Sequence, residues 1–202
     1  FPDLAAIQRQ FHHLVRIVPG EGLLVVNGED AALAEVLAMG CWTPVERFAI
    51  DAEAEWQARL IKADGSEFVL LYKGRELGTV QWQMLGRHNV MNALAATAMA
   101  LSAGASFEAV LAGLSNARPF AGRQVVMPLA NGAILIDDSY NANPGSVIAA
   151  IDSLSLACAL DKRISVLVLG DMAELGEAAE SLHAQIGLVA KSRGIQLLYA
   201  CG

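Results

Sequence analysis

The sequence has no excess of basic residues and few cysteines. It contains 14 lysines and arginines against 21 aspartates and glutamates, a formal net charge of −7. A nucleic-acid-binding domain needs a basic surface, so we expect no nucleic-acid partner, although a local site for a small anion stays compatible with this charge. The cysteines Cys41, Cys158 and Cys201 form no C-x-x-C pair. Neither a zinc site nor a disulfide framework is predicted, nor is any other metal site.

Long apolar runs are also missing. No uninterrupted apolar stretch reaches the roughly 18 residues that a membrane-spanning helix needs, and no signal peptide opens the chain. We therefore expect a soluble, cytoplasmic protein without membrane insertion. The chain starts at Phe1 without a methionine and stops at Gly202 directly after an apolar run, so we expect both ends to be cuts through a longer polypeptide.

Two phosphate-binding motifs are absent from these 202 residues. The loop G-x-x-x-x-G-K-[ST] requires a glycine followed by a lysine, and no such pair occurs. The dinucleotide fingerprint G-x-G-x-x-G is missing as well. The chain is not expected to hold a triphosphate through such a loop, and a generic dinucleotide binder is disfavoured.

What is present is an alternation of helical and strand-like patterns, in a chain of 54% hydrophobic residues. This composition is typical of an α/β protein with a buried sheet. An amphipathic helix is predicted after Asp3, then a strand at 23–26, a helix at 30–39 and a strand at 45–50. The apolar residues that define the first helix are Leu4, Ile7, Phe11, Leu14 and Val18.

From residue 56 to 84 the apolar period is two, which predicts an antiparallel meander, and two helices follow at 88–103 and 107–114. The pattern breaks at 117–122, where we place a domain boundary. Beyond it, strands and helices alternate to the end of the chain, which predicts a doubly wound sheet.

Polar clusters follow two of the predicted strands, at the edge where open parallel sheets bind ligands. One runs from Asp137 to Pro144 and the other from Gly170 to Gly176. Carboxylates there can accept bonds from a ribose diol, and asparagine amides can pair with a peptide. The alternative is that Asp138 or Ser139 turns the chain and Asn143 caps a helix beginning at Pro144. Both interpretations stay open at this stage.

A third cluster, Gly86 to Asn92, opens the alanine-rich helix at 88–103. Asn89 and Asn92 are three residues apart and share a helix face, where their amides could read the edge of a base. The alternative is that Asn89 is an N-cap and Asn92 is solvated. His88 is interpreted as a structural hydrogen-bonding residue.

These clusters together resemble the Mur ligases, ATP-dependent enzymes of cell wall biogenesis that add amino acids to peptidoglycan precursors. The two acidic clusters resemble the C-terminal domain of the branch that adds D-alanyl-D-alanine, and Gly86 to Asn92 resembles the family segment G-x-H-N-x-x-N. Residues 3–14 and 40–42 are instead similar to the murein peptide ligase branch, which reattaches recycled tripeptide to UDP-N-acetylmuramate. The two likenesses meet near residues 86–96, so we hypothesise a hybrid of two Mur ligases.

The resemblance implies an α/β fold in two parts: residues 1–117 as the second half of a central ATPase-type domain without its phosphate loop, and residues 118–202 as the first part of a Rossmann-like, doubly wound C-terminal domain. It also implies the reaction. ATP, assisted by Mg²⁺, activates the carboxylate of a UDP-N-acetylmuramoyl precursor as an acyl phosphate, which the amine of a short peptide attacks.

The resemblance also implies roles for seven residues. Asn89 and Asn92 would face adenine, Arg123 the phosphates and Asp138 the ribose. On the peptide side would lie Tyr140, Asn141 and Asn143. The phosphate loop and the acidic metal ligands would precede Phe1, so no catalytic residue and no metal ligand is assigned. The alternative to a ligase portion is an inactive module with weak affinity for adenine nucleotides.

Overall fold

The computed structural model describes the whole chain, residues Phe1–Gly202, which divides into two compact units. Unit 1 consists of Phe1–Lys62, Glu67–Trp82 and Asn89–Asn116. Unit 2 consists of Ala63–Ser66, Gln83–His88 and Ala117–Gly202. Two short segments from the first half of the chain therefore belong with its second half.

Unit 1 carries helices whose N-termini are capped by short polar side chains. Asp3, Asp30 and Ser106 each accept a hydrogen bond from a first-turn backbone N–H, which satisfies groups that the helix leaves unpaired. The helices are α1 (Leu4–Ile17), α2 (Ala31–Ala38), α3 (Arg87–Ser102) and α4 (Phe107–Ser115). The first two residues of α3, Arg87 and His88, are grouped with unit 2.

The sheet of unit 1 has five strands in sequence order. They are β1 (Leu24–Asn27), β2 (Val45–Ala49), β3 (Trp56–Leu60), β4 (Glu67–Tyr72) and β5 (Arg75–Gln81). The first three run parallel, and β3, β4 and β5 form an antiparallel meander, which confirms the prediction from the period of two. Phe68, Leu70 and Val80 of the meander are fully buried, as is Leu94 of α3.

Helix α1 forms where predicted, but the apolar face that defined it is not the buried face. Leu4, Phe11 and Leu14 are 57%, 49% and 54% exposed, whereas Ala6, Gln8 and Val15 are buried. The Gln8 amide donates to the Ala32 carbonyl and to the Glu35 carboxylate of α2 at 3.2 and 2.7 Å. Periodicity identified the helix, while the contact with α2 decided which side is covered.

Unit 2 contains two separate pairs of strands. In chain order its elements are β6 (Val125–Pro128), β7 (Ile134–Asp137), α5 (Pro144–Asp161), β8 (Val166–Leu169), a 3-10 turn (Gly176–Ala178), α6 (Ala179–Ser192) and β9 (Leu197–Ala200). Strands β8 and β9 are parallel. Strands β6 and β7 are antiparallel.

The α/β class is confirmed, and the parallel pair has the neighbouring helices that a doubly wound arrangement requires. Buried Val147 and Ile151 of α5 pack with Ile186 of α6, and Leu167 and Leu169 of β8 pack against this core. Strands β6 and β7 differ from the expected parallel order. Only residues 129–133 join them, too few for the crossover that parallel strands need.

Helix α5 is the one helix whose length and composition would allow it to cross a membrane. Its Val147 and Ile151 are buried in the core that it shares with α6. A core helix of a globular unit passes the same test of length and hydropathy, so the composition of α5 is weak support for a membrane span.

Within unit 1, Glu46 joins the parallel and antiparallel parts of the sheet. Its carboxylate accepts from the Trp56 indole N–H at 2.6 Å and from the Tyr72 hydroxyl at 2.7 Å. We expect Glu46→Gln to lower the free energy of unfolding of unit 1 by about 1–3 kcal/mol, because the two donors bond different carboxylate oxygens and glutamine replaces one of these oxygens with an NH₂ group that cannot accept. Urea unfolding followed by tryptophan fluorescence measures this, since all three tryptophans lie in unit 1.

The matched control is Glu76→Gln. Glu76 pairs with Arg59 on the surface, where the two side chains are 60% and 57% exposed. Breaking such a pair should change stability by less than about 1 kcal/mol. Equal losses in the two variants would contradict the role given to Glu46.

Candidate functional site

The predicted site residues of unit 2 lie at the open end of the β6–β7 hairpin. Gly122 and Arg123 come just before β6, and residues 138–143 follow β7. Val125 pairs with Asp137 in the antiparallel register. The start of β6 therefore lies beside the end of β7, which brings Arg123 close to Asp138 and Tyr140.

Backbone and side-chain hydrogen bonds hold the two segments in place. The Tyr140 N–H donates to the Gly122 carbonyl at 3.0 Å. The Asp137 carboxylate accepts from the Ser139 N–H at 3.1 Å. Hydrogen bonds from the Ser139 side chain, then from the Ser139 and Gly122 backbones, hold the pKa of Asp137 below its ordinary value. Asp137 and Ser139 thus hold the turn together.

The contact between the segments requires glycine at position 122. Gly122 is buried and has φ +71°, a left-handed conformation that costs other residues energy. A Cβ there would lie 3.0 Å from the Tyr140 nitrogen and 3.1 Å from its Cβ. A side chain at this position would push the two segments apart.

Arg123 and Tyr140 are in direct contact. The guanidinium carbon of Arg123 lies 4.2 Å from the centroid of the Tyr140 ring, within the range of a cation–π interaction. Both residues are exposed, Tyr140 by 69%. Arg123 forms no salt bridge with a carboxylate, so its charge is available to an anion.

The asparagines that follow have local hydrogen bonds. The Asn143 side chain accepts from the Ser146 N–H at 3.0 Å, and the Ser146 hydroxyl accepts from the Asn143 N–H at 3.0 Å. This capping box starts α5 at Pro144, so the capping interpretation of Asn143 is confirmed. Asn141 accepts from the Ala142 N–H at 3.0 Å. The side-chain nitrogens of Asn141 and Asn143 make no hydrogen bond within the chain, so both can donate to a ligand.

The asparagines of the third cluster lie in unit 1, on the first turns of α3. Asn89 is partly buried and Asn92 is exposed. Because α3 begins at Arg87, Asn89 lies inside the first turn, and its interpretation as an N-cap is wrong. Arg123, Asp138, Tyr140, Asn141 and Asn143 are brought together in unit 2, whereas Asn89 and Asn92 belong to the other unit.

His88, grouped with unit 2, lies beside α5. Gly86 has φ +91°, and a Cβ there would lie 2.7 Å from the His88 Cε1 and 2.7 Å from the Ser153 hydroxyl. Burial lowers the pKa of His88, and the Asp138 carboxylate opposes this shift. Asp138 therefore lies near enough for its charge to act on the His88 imidazole. They are 50 positions apart, and no sequence spacing could have indicated the connection.

Gln124 is a second residue that sequence reasoning missed. Its backbone is left-handed, with φ +52°, and its side-chain carbonyl oxygen is buried without a hydrogen-bond partner. Such an unsatisfied group is costly and uncommon. A glutamine before a strand has no sequence signal that would predict it.

The second acidic cluster is held by His183 of α6. The Met172 N–H donates to the imidazole Nε2 at 3.1 Å, and Nδ1 lies 2.8 Å from the Ala179 carbonyl. An acceptor at Nε2 places the proton on Nδ1. His183 thus ties the segment after β8 to α6.

A shallow cleft of about 360 Å³ lies in unit 1, and none of the predicted site residues lines it. Ile50, Gln57, Arg59 and Leu71 are among the residues that line it, and Arg59 is already paired with Glu76. It presents no convergent set of unpaired polar groups, so we assign it no ligand.

Two family models match most of the chain. Residues 1–100 match the Mur ligase middle domain, and residues 122–202 match the domain described as Mur ligase, glutamate ligase domain. The chain is 38% identical over 157 residues to UDP-N-acetylmuramate--L-alanyl-gamma-D-glutamyl-meso-2,6-diaminoheptandioate ligase of Escherichia coli, covering 76% of this chain and 33% of that protein. It is 35% identical over 205 residues to UDP-N-acetylmuramoyl-tripeptide--D-alanyl-D-alanine ligase of the same organism, covering 100% and 44%.

Solved structures from the same two branches are also similar. MurF from Acinetobacter baumannii aligns with a TM-score of 0.85 and 29% identity, covering 98% of this chain and 42% of that one. The murein peptide ligase from Neisseria meningitides aligns with a TM-score of 0.54 and 46% identity, covering 59% and 36%. The chain thus spans less than half the length of each of these relatives.

The need for glycine at position 122 can be tested by comparing two positions in one hairpin. Gly132 also has positive φ, +83°, but a Cβ there would meet nothing within 4 Å. We expect Gly132→Ala to cost about 1–2 kcal/mol from the backbone alone. Gly122→Ala should cost more and expose the Tyr140 amide to hydrogen exchange. Equal exchange at Tyr140 in the two variants would contradict the steric argument.

His88 should titrate below about pH 6.5, the ordinary imidazole value, because burial lowers its pKa. As the pH falls below that value the unfolded state binds the proton first, so unit 2 should lose stability until the pH passes the folded pKa. Asp138→Asn should lower the pKa of His88 further, as followed by NMR of the imidazole Cε1–H. Asp161→Asn, at the other end of α5, is the control and should leave the titration unchanged.

Proposed function

Because this chain belongs to the Mur ligase family, we propose that it is a portion of an ATP-dependent ligase that forms an amide bond between a peptide and a UDP-N-acetylmuramoyl substrate. Such a ligase acts in peptidoglycan precursor synthesis or recycling. The printed names of both E. coli relatives describe ligases of UDP-N-acetylmuramoyl compounds, which supports this substrate class. We also propose that this ligase is cytoplasmic.

We assign residues 1–117 to the second half of the middle domain and residues 118–202 to the first part of the C-terminal domain. The two family matches, 1–100 and 122–202, fall on either side of this boundary. Since the chain spans 33% and 44% of the two relatives, catalysis by the whole ligase would involve further polypeptide.

The observation that carries the nucleotide assignment is the arrangement of Arg123 and Asp138 at the open end of the hairpin. Arg123 has a guanidinium that no carboxylate neutralises, so it suits a phosphate. Asp138 presents a carboxylate that can accept from the ribose hydroxyls. The adenine assignment of Asn89 and Asn92, on one face of α3 in the other unit, rests on the family resemblance alone.

On the other side of the nucleotide, Tyr140, Asn141 and Asn143 would contact the peptide. The capping bond uses the Asn143 oxygen, which leaves its amide nitrogen to donate to a peptide carbonyl. Asn141 likewise retains its amide nitrogen.

When bound, ATP would supply the phosphoryl group that activates the substrate carboxylate as an acyl phosphate. The residues of this chain would bind and orient the nucleotide, since Arg123 stabilises negative charge and Asp138 fixes the ribose. The chain has no group of three or more histidine, cysteine, aspartate or glutamate side chains arranged to hold a metal ion. We therefore assign none of its residues to the Mg²⁺ that the family uses.

The hybrid hypothesis concerns which branch the chain comes from. An alignment with the D-alanyl-D-alanine ligase spans the whole chain, and one with the diaminoheptandioate ligase covers 76% of it. A fusion is not needed to explain either match. The sequence of the parent gene tests the hypothesis, because a continuous match to one ligase along the gene would remove it.

The second candidate is a non-catalytic module that binds adenine nucleotides weakly. The chain spans less than half the length of the ligases that it resembles, and this favours the module for the isolated polypeptide. Affinity should be low, because much of the charge-assisted bonding to a triphosphate comes from a phosphate loop, and this sequence has no Gly-Lys pair.

One experiment separates the two candidates. The chain is titrated with ATP while its melting temperature is followed, and phosphate release is assayed with Mg·ATP, a UDP-linked muramyl tripeptide and D-alanyl-D-alanine. We expect a small rise in melting temperature with ATP and no phosphate release, the result that favours the non-catalytic module for the isolated chain. Turnover would show that the isolated chain is an active ligase.

Asp138→Ala should abolish the ATP-induced rise in melting temperature, because it removes the proposed acceptor for the ribose. Glu177→Ala, at an exposed acid in the 3-10 turn, changes the net charge equally and should keep the rise. A rise that persists in Asp138→Ala would contradict the assignment of Asp138.

A further inference from the structure

We infer that Tyr140 is a positioning residue for Arg123: its ring holds the guanidinium at the open end of the β6–β7 hairpin, oriented toward a phosphate group. This inference rests on the proposed function, in which Arg123 approaches the phosphates. It gives Tyr140 a task besides the peptide contact proposed above.

The first support is the way the charge of Arg123 is held. Arg163 of the same unit is paired with a carboxylate, since its Nε lies 3.4 Å from the Asp161 carboxylate. Arg123 instead lies over the Tyr140 ring at 4.2 Å. An aromatic ring restrains a guanidinium without neutralising it. Arg123 therefore keeps its full charge and its N–H donors for an incoming anion.

The second support is the rigidity of the platform that carries the ring. The Tyr140 N–H is bound to the Gly122 carbonyl at 3.0 Å. Gly122 directly precedes Arg123. Because Gly122 has no Cβ, the Tyr140 backbone can approach it closely. The segments that carry Arg123 and Tyr140 are therefore fixed to each other at Gly122. The ring thus meets the guanidinium in a defined geometry.

The third support is the backbone around Arg123. The residues on both sides of it are left-handed, Gly122 with φ +71° and Gln124 with φ +52°. A non-glycine residue in this region is strained, and it keeps this conformation only where its surroundings impose it. Along this path, just before β6 begins, the Arg123 side chain lies against the Tyr140 ring.

Four variants of the full chain test the inference. Tyr140→Phe keeps the ring, Tyr140→Leu removes it, and Arg123→Gln removes the charge. Arg163→Gln is the matched control, since Arg163 bonds the Gly132 carbonyl at the closed end of the same hairpin. Each variant is titrated with inorganic tripolyphosphate, ATP and adenosine, and binding is followed by NMR.

We expect Tyr140→Leu to weaken tripolyphosphate and ATP binding by about two- to fivefold, the factor that corresponds to a cation–π contact at an exposed site. Adenosine binding should not change, because it has no phosphate. Tyr140→Phe and Arg163→Gln should bind like the parent chain, and Arg123→Gln should lose tripolyphosphate binding. Equal losses in Tyr140→Phe and Tyr140→Leu would overturn the inference, because the hydroxyl rather than the ring would then be responsible.

A second measurement does not depend on any ligand. The side-chain protons of Arg123 should be shifted upfield by the ring current of Tyr140 in the parent chain and in Tyr140→Phe, but not in Tyr140→Leu. Unshifted protons in the parent chain would overturn the positioning role alone. Shifted protons in a chain that binds no tripolyphosphate would instead overturn the phosphate role of Arg123, and with it that part of the proposed function.

Discussion

The close approach of two backbone segments at Gly122 is the contact on which the candidate site depends. The carbonyl of Gly122 accepts from Tyr140, and its bare Cα leaves room for the Tyr140 backbone. Arg123 directly follows Gly122 and Asp138 lies two residues before Tyr140, so the same contact brings their two segments together. These side chains lie at the open end of the β6–β7 hairpin, where the chain enters and leaves it.

The acids at this end of unit 2 have different tasks. Asp137 is tied into the turn through Ser139 and Gly122, and these bonds stabilise its charged form. Asp138 has no such role in the turn, and it acts on the partly buried imidazole of His88. One acid of the pair therefore maintains the backbone while the other stays available to a ligand.

The sheet of unit 1 combines parallel strands with an antiparallel meander. Parallel strands are usually covered on both faces, whereas an antiparallel meander can leave one face to solvent. Glu46, on a parallel strand, accepts from Trp56 and Tyr72 of the meander. Two charge-assisted hydrogen bonds thus join the two parts of the sheet. Membership of the Mur ligase family agrees with this mixed sheet, since the same fold is found in its solved members.

The sequence by itself determined the identity and order of most elements. The caps at Asp3 and Asn143, the meander from Trp56 and the family of the chain all follow from local patterns, because capping, turn chemistry and side-chain periodicity depend on neighbouring residues. It also placed Asp138 and Tyr140 directly after a predicted strand, whereas Arg123 and the roles of all three residues came from the family resemblance.

Only the tertiary structure decided which surfaces meet. The buried side of α1 is set by Gln8 and α2, not by its apolar stripe. The antiparallel direction of β6 and β7, the contact of Arg123 with Tyr140 and the influence of Asp138 on His88 join residues that no periodicity relates. Such contacts depend on how separate segments pack in three dimensions. Hydrophobic patterning shows which side of an element is apolar, but not which other element packs against it.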